Sequence, residues 1–309
     1  MNSLNLIFMG SPDFAVPSLE ELHQSHHQIS AVVSNPDKRR GRRRKPQPTA
    51  VKQRAVEMGL TTIDVEDLNS DEFRKKLAQL KPDLLVIVAF RILPSSILEI
   101  PKIGSINLHA SLLPKYRGAA PIHWAVINGE SETGCTVFFL DEKVDTGKII
   151  SQGETEIGPM ETTGDIYERL KDSGAKLLAE SVNRIAEGNV RPVPQNHGEA
   201  TSAPKLFREN TEIDFNKSAL EVHNFVRGLN PFPVAWCRYG DKKLNIYSTV
   251  PEPDKNLSPG SLTFEENRLF VGCGRGAVEV VELQLPGTKV MSGREFANGY
   301  SLEKTLGYS

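Results

Sequence analysis

Residues Gly104–Pro121 read GSINLHASLLPKYRGAAP. An apolar run ends here on Asn107 and His109, two residues apart. A Leu-Leu-Pro turn follows, and then Arg117-Gly118-Ala119-Ala120-Pro121. Side chains of a β-strand alternate between faces with a period of two, so Asn107 and His109 project from one face. An amide can donate to a developing oxyanion, and an imidazole can move a proton near neutral pH. The pair is half of an acyl-transfer site at a strand end, where open α/β sheets place their ligands.

Outward from this stretch, strand and helix patterns alternate. Leu4–Met9 reads as a first strand, Gly10–Asp13 as a tight turn, and Ser11 or Asp13 as the cap of a first helix. Gln28–Ser34 is a second strand. Thr49–Met58 and Ser70–Leu80 read as helices, with Leu60–Asp64 extended between them. Asp83–Ala89, DLLVIVA, is a continuous apolar run, the pattern of a strand buried on both faces. Ala119–Asn128 reads as a helix, Gly134–Leu140 and Thr146–Ser151 as strands, and Thr162–Ala186 as a long amphipathic helix. This alternation predicts an α/β fold: a Rossmann-like, mostly parallel sheet with helices on both faces. Beyond residue 207 the pattern changes to a helix at 218–227 and five short strands, which predict a C-terminal OB-like β-barrel domain. The expected division is a catalytic domain over 1–188, a proline-containing linker over 189–207 and the β domain over 208–309.

At 309 residues the chain is long for one core, which agrees with two domains. No apolar run reaches the roughly 18 residues of a membrane helix. The short apolar run at Leu4–Met9 has no basic segment before it and reads as a core strand rather than a signal peptide. Three widely spaced cysteines fit neither a disulfide framework nor a zinc site and point to a reducing cytoplasm. The seven histidines show no ligand spacing, so no metal is expected, and His26-His27 reads as a solvated helix end. The net charge of −2 argues against nucleic-acid binding, but its distribution argues the other way. Seven of the eight residues Lys38–Lys45 are basic, whereas the rest of residues 1–204 carries 17 basic against 26 acidic residues. Positive charge is therefore concentrated in one loop on an acidic domain.

Asn107 and His109 need a third partner, and Asp141, Glu142 and Asp145 are the nearby candidates. Asp145, in Val144-Asp145-Thr146-Gly147, is placed to hold an imidazole and stabilise its charged form. From spacing alone the bland alternative stays open: His109 as a satisfied core histidine and Asp145 as a turn residue.

The run from Ser105 to Gly147 resembles the folate-dependent formyltransferases. Asn-x-His, Ser-Leu-Leu-Pro, Arg-Gly-Ala-x-Pro and a later Asp-Thr-Gly occur in the family's order and spacing. MGSPDFAVPSL at Met9–Leu19, the proline-bounded basic loop, APKL at Ala203–Leu206 and LPGTKVMS at Leu285–Ser292 extend the resemblance over the whole chain. These blocks are similar to those of family members that formylate a charged tRNA. The resemblance implies transfer of a formyl group from 10-formyltetrahydrofolate to the α-amine of initiator methionyl-tRNA in the cytoplasm, with a monomer as the default state. It implies that Asn107 and protonated His109 bind the formyl oxygen, and that Asp145 favours the imidazolium and takes the amine proton. No covalent enzyme intermediate and no metal are required.

By the same resemblance, Ser111, Leu112, Leu113 and Pro114 form a folate-binding turn. Val86–Pro94, with Val88 and Ile92, forms the opposite wall. That second segment departs from the family's Ala-Tyr-Gly-x-Ile-Leu-Pro pattern, because Arg91 stands in the place of a glycine and one residue is missing. Lys38, Arg39, Arg40, Arg42, Arg43, Arg44 and Lys45, on the sheet edge that carries Asn107 and His109, are expected to order on tRNA and neutralise its phosphates. Lys205 is expected to join them. The β domain, with 13 basic and 13 acidic residues over 205–309, is expected to orient the tRNA through Lys205, Arg208, Arg238, Lys242 and Lys243. Two other readings stay in view. One keeps the fold and site with a small-molecule acceptor, against which the basic loop speaks. The other is a non-catalytic RNA-binding protein, against which the Asn107/His109/Asp145 set speaks.

Overall fold

The computed structural model describes residues 2–39, 46–303 and 305–307. Strands β1 (Asn5–Gly10), β2 (Gln28–Ser34), β3 (Thr62–Asp64), β4 (Leu84–Val88), β5 (Gly104–His109), β6 (Glu132–Phe139) and β7 (Ile149–Glu156) form one sheet in the order β7-β6-β5-β4-β1-β2-β3. From β3 through β5 every pairing is parallel, and β6 runs antiparallel to β5. Strand order reverses between β1 and β4, the kind of switch point beside which open α/β sheets form crevices. β4 is buried along its whole length, as its unbroken LLVIV run requires. One core cluster joins Ile7, Met9, Val33, Leu85 and Ile87 of the sheet to apolar side chains of helices α3 (Asp71–Gln79) and α4 (Ser95–Leu98).

Local signals account for most helix starts. Thr49 caps α2 (Ala50–Glu57) by accepting from the Lys52 N–H at 3.1 Å, and Ser70 caps α3 by accepting from the Phe73 N–H at 3.3 Å. The first helix corrects the expectation. A single 3₁₀ turn at Asp13–Ala15 leads into α1 (Val16–Gln24), which has no side-chain cap. Pro17 pre-sets the first turn instead. Ser11 Oγ accepts from the Asn35 N–H at 3.1 Å, and Asp13 Oδ1 accepts from Tyr167 Oη at 3.0 Å. His27 is a second correction. It is buried, with Nδ1 accepting from the Leu4 N–H at 3.2 Å and Nε2 lying 3.0 Å from Asn183 Oδ1, so it joins the core rather than a solvated helix end.

The C-terminal sheet contains β8 (Ala235–Tyr239), β9 (Lys242–Glu252), β10 (Leu262–Glu265), β11 (Arg268–Gly272) and β12 (Ala277–Gln284), in the antiparallel order β8-β9-β12-β11-β10. β9 runs past the apolar pattern that marks its start, because its ladder with β12 continues to the Glu252–Ala277 pair. After the long helix α6 (Thr163–Ala186), helices α7 (Ala219–Gly228) and α8 (Gly293–Gly299) each begin with a Ser/Glu capping box. Val222 and Val226 of α7 and Phe296 of α8 pack into the strand core with Leu244, Ile246 and Val280. The chain end reaches both sheet edges: Leu306 N donates to Gly260 O at 2.8 Å and Gly307 N to Arg238 O at 3.1 Å. The chain thus carries a Rossmann-like, mostly parallel sheet and an antiparallel OB-like β domain.

By internal packing, Met1–Gly118, Gly134–Thr155 and Tyr167–Ser202 make one compact unit. Ala119–Thr133, Glu156–Ile166 and Ala203–Ser309 make the other, so helix α5 (Pro121–Ile127) groups with the C-terminal residues. Among the described residues no helix is long and apolar enough to cross a membrane.

Candidate active site

The site begins at the carboxyl ends of β4 and β5. Asn107 lies opposite Ile87 in the ladder, and its Nδ2 donates to Ile87 O at 3.2 Å. One of its two N–H groups is thereby fixed and the other remains. Two residues on, His109 is buried, with Nε2 2.8 Å from Tyr116 O. A carbonyl only accepts, so Nε2 carries a hydrogen. Nδ1 lies 3.8 Å from Asp145 Oδ2.

Asp145 occupies the loop between β6 and β7 with φ +55°, a left-handed conformation that aspartate tolerates better than most residues. Its Oδ2 accepts from the Gly118 N–H at 2.8 Å. Two residues later, a Cβ on Gly147 would stand 1.7 Å from Phe139 O, so only glycine lets the loop pass this close to β6. Gln195, in the segment read as linker, reaches this loop: Nε2 donates to Asp145 O at 3.0 Å and to Gly147 O at 2.8 Å. A lone glutamine among prolines carries no sequence signal for such a contact.

A cleft opens beside these groups. Ile87, Phe90, Ile92 and Leu93 line it together with Leu140 and Val144, and both Asn107 and Asp145 open into it. Its apolar wall faces a polar side made by Arg91, Asp141, Glu142 and Lys143 with Asn107 and Asp145, so apolar surface lies next to groups that can orient a small ligand. Of the residues read as folate contacts, Ile92 is in the lining and 75% exposed. Val88 is wholly buried in β4. Ser111, Leu112, Leu113 and Pro114 are outside the lining. Ser111 Oγ donates to Lys115 O at 2.7 Å, the Leu113 N–H to Thr136 Oγ1 at 3.0 Å, and Gln152 Nε2 to Leu113 O at 2.9 Å. Arg91 lines the cleft and props its wall: Nη1 donates to Glu66 O at 2.8 Å and Nη2 to Val65 O at 2.5 Å, while its buried Nε has no partner among the described residues.

The expected RNA contacts are placed unevenly. Lys38 and Arg39 are exposed and pair with Pro46–Gln47 in a two-residue ladder. Arg40, Arg42, Arg43, Arg44 and Lys45 lie outside the described residues. At the root of the loop, Lys52 Nζ bridges Asp37 and Asp64 at 2.6 and 2.7 Å. In the C-terminal unit, exposed Lys205 lies over the Phe207 ring at 5.4 Å and Lys243 over the Trp236 ring at 4.9 Å. Burial, with Arg208 nearby, holds the Lys243 ammonium below the usual lysine range. Burial pushes the Cys135 thiol up to about 12 and the Cys273 thiol to about 11, so neither supplies a thiolate nucleophile.

Known proteins share this architecture. A family model described as Formyl transferase matches residues 1–182, and one described as Formyl transferase, C-terminal domain, matches residues 205–301. The methionyl-tRNA formyltransferase of Chlorobium limicola is 42% identical over 309 residues, with 97% of each chain covered. That of Porphyromonas gingivalis W83 is 41% identical over 315 residues, with 98% of each chain covered. A crystal structure of an N-formyltransferase from Helicobacter canadensis, in complex with folinic acid and dTDP-3-aminofucose, superposes with a TM-score of 0.70 at 22% identity, covering 90% of this chain and 98% of that one. At that identity the likeness speaks for the fold alone. With family models matching both sheets and relatives aligned along nearly the whole length, the chain belongs to the formyltransferase family.

Proposed function

We propose that the chain transfers a formyl group from 10-formyltetrahydrofolate to the α-amine of initiator methionyl-tRNA, for translation initiation in the cytoplasm. The observation that carries this reading is that Asn107 and Asp145 open into one cleft with an apolar wall, with His109 Nδ1 3.8 Å from the Asp145 carboxylate.

The folate is a substrate here, and the cleft suits it. Ile87, Phe90, Ile92 and Val144 offer apolar walls to a pteridine. When the amine attacks the formyl carbon, negative charge grows on the formyl oxygen. The remaining Asn107 N–H and a protonated His109 Nδ1 donate to that oxygen; removing one such donor typically raises the barrier by about 3–4 kcal/mol. Asp145 stabilises the imidazolium and accepts the proton the amine loses, a general-base role typically worth about 10²- to 10⁴-fold. The tetrahedral intermediate then collapses: the carbonyl re-forms, the bond from the formyl carbon to N10 breaks with its electron pair on N10, and the proton taken from the amine passes to N10 to release tetrahydrofolate. The basic run Lys38–Lys45 and Lys205 neutralise tRNA phosphates, and residues 208–309 orient the tRNA. A small-molecule acceptor has no use for seven cations in eight residues.

The test is direct. Enzyme, 10-formyltetrahydrofolate and charged initiator methionyl-tRNA are incubated and the tRNA is analysed for formylmethionine. Stoichiometric product supports the reading. None at enzyme excess, with folate binding intact, rejects it.

A further inference from the structure

Gln195 is buried, with 7% of its surface exposed, and its amide is fully engaged. Nε2 donates to the carbonyls of Asp145 and Gly147, and Oε1 accepts from Arg117 Nε at 3.2 Å and Nη2 at 2.5 Å. The environment leaves one orientation for the amide: two carbonyls demand donors, and the guanidinium demands an acceptor. Arg117 Nη2 is itself 3.0 Å from His197 Nδ1.

This places Asp145 between two grips from one segment. The Gly118 N–H holds its carboxylate directly, and the preceding residue, Arg117, holds its carbonyl through Gln195. The backbone between the grips is left-handed, at φ +55°. Without the amide, the two carbonyls would lose their shared donor, and the loop would relax around the carboxylate, held by its bond to Gly118 and its proximity to His109 Nδ1. Buried carbonyls left without donors are costly, so the relaxation would follow.

We infer that Gln195 is a positioning residue that sets the direction of the Asp145 carboxylate toward His109, so that turnover rather than substrate binding depends on it. This rests on the proposed role of Asp145. It needs no contact between Gln195 and either substrate.

The experiment compares Gln195→Leu, Gln195→Glu and Asp145→Asn in the full chain, measuring kcat and KM for both substrates per folded molecule, with folding followed by circular dichroism. Gln195→Leu keeps the volume and removes the amide; kcat falls about 10- to 100-fold, the size expected for displacement of a reacting group by about 1 Å, while both KM values stay within about twofold. Gln195→Glu keeps the Arg117 pairing and regains a donor only when protonated, so its kcat relative to the wild type rises as pH is lowered. That pH dependence would not accompany a merely structural role, and it decides the matter if the leucine variant does not fold. Wild-type kcat in both Gln195 variants, or a loss confined to KM, overturns the inference while a dead Asp145→Asn leaves the role of Asp145 standing. Wild-type kcat in Asp145→Asn overturns the underlying reading itself.

Discussion

Two loops with equally recognisable sequences meet the end of β5, and they use their polar groups in opposite ways. The turn at Ser111–Pro114 turns inward: Thr136 Oγ1 accepts from the Leu113 N–H and Gln152 Nε2 and donates to Ser111 O, and Ser111 Oγ donates to Lys115 O. The loop at Asp141–Gly147 is fastened by its backbone, through Gln195, and opens the Asp145 carboxylate and the Val144 side chain into the cleft. One loop spends its hydrogen bonds inside the fold, and the other presents a carboxylate to the cleft. A motif marks a place in the fold, and only the hydrogen-bond accounting tells which of its residues remain available to a ligand.

The largest effect that separates the two loops is on turnover. Asp145→Asn keeps the shape and an acceptor for the Gly118 N–H but removes the charge beside His109, and kcat is expected to fall by about 10²- to 10⁴-fold. Ser111→Ala removes one bond to Lys115 O and nothing from the cleft, so its kcat stays within about threefold of the wild type, one lost hydrogen bond being worth about 1 kcal/mol of stability. Steady-state kinetics on the two variants breaks the comparison if Ser111→Ala loses as much turnover as Asp145→Asn.

The next contrast is between the cleft and the charged loop. Replacing the seven cations of Lys38–Lys45 with neutral residues is expected to raise KM for tRNA and leave KM for folate unchanged. The dependence of log KM on log salt should flatten by about 0.7–0.9 for each phosphate that is no longer neutralised. An unchanged salt slope, measured between low and physiological salt, moves the RNA-binding surface elsewhere on the chain.

Ile92 and Leu113 sharpen the comparison on apolar ground. Ile92 is 75% exposed at the cleft, and Leu113 is 3% exposed in the turn. Ile92→Ala removes three carbons, at about 0.8 kcal/mol for each that a bound ligand covers; with one or two of them covered, KM for folate should rise about 5- to 10-fold with the urea midpoint unmoved. Leu113→Ala leaves a void and should lower unfolding stability by about 2–5 kcal/mol with little change in the folate KM of the folded enzyme. The reverse pattern would make the turn the folate wall.

Much of this was legible in the residues because it rests on short-range physics. The apolar run of β4, the strand-end pair Asn107 and His109, and the helices beginning near Thr49 and Ser70 all follow from periodicity or local hydrogen bonding. What was hidden depends on long-range partners. Ser11 and Asp13 look like helix caps, but Asn35 and Tyr167 claim them. His27 looks solvated next to His26, but Asn183 and the Leu4 N–H draw it into the core. Gln195 sits 50 residues from Asp145 in a proline-bounded stretch with no periodicity to betray its direction. Arg91 looks like a misplaced glycine, yet it braces the cleft wall against the carbonyls of Val65 and Glu66.

The smallest expected effect concerns a histidine that serves wholly as scaffold. His223 of α7 is buried with both ring nitrogens engaged: Nδ1 lies 3.1 Å from Thr249 Oγ1, and Nε2 donates to Pro159 O at 3.0 Å. Burial, helped by the Arg227 guanidinium, holds its pKa below the usual 6.5, although the Pro159 bond pulls the other way. Between that lowered value and 6.5 the unfolded chain binds more protons than the folded one, so stability rises with pH in this window. The contribution is complete above 6.5 and is lost as pH falls toward the folded value. His123, in the same unit, is lowered by burial too and adds in the same direction. His223→Gln removes one titrating group, so its urea midpoint should fall less than that of the wild type between about pH 7.5 and about pH 5.5. Each histidine contributes at most one proton to the slope, which keeps the effect modest. An unaltered pH dependence in His223→Gln would assign the sensitivity to His123, and a drop in kcat at constant fold would mean that a histidine with both nitrogens occupied still serves the reaction, against the rule that separates the two loops.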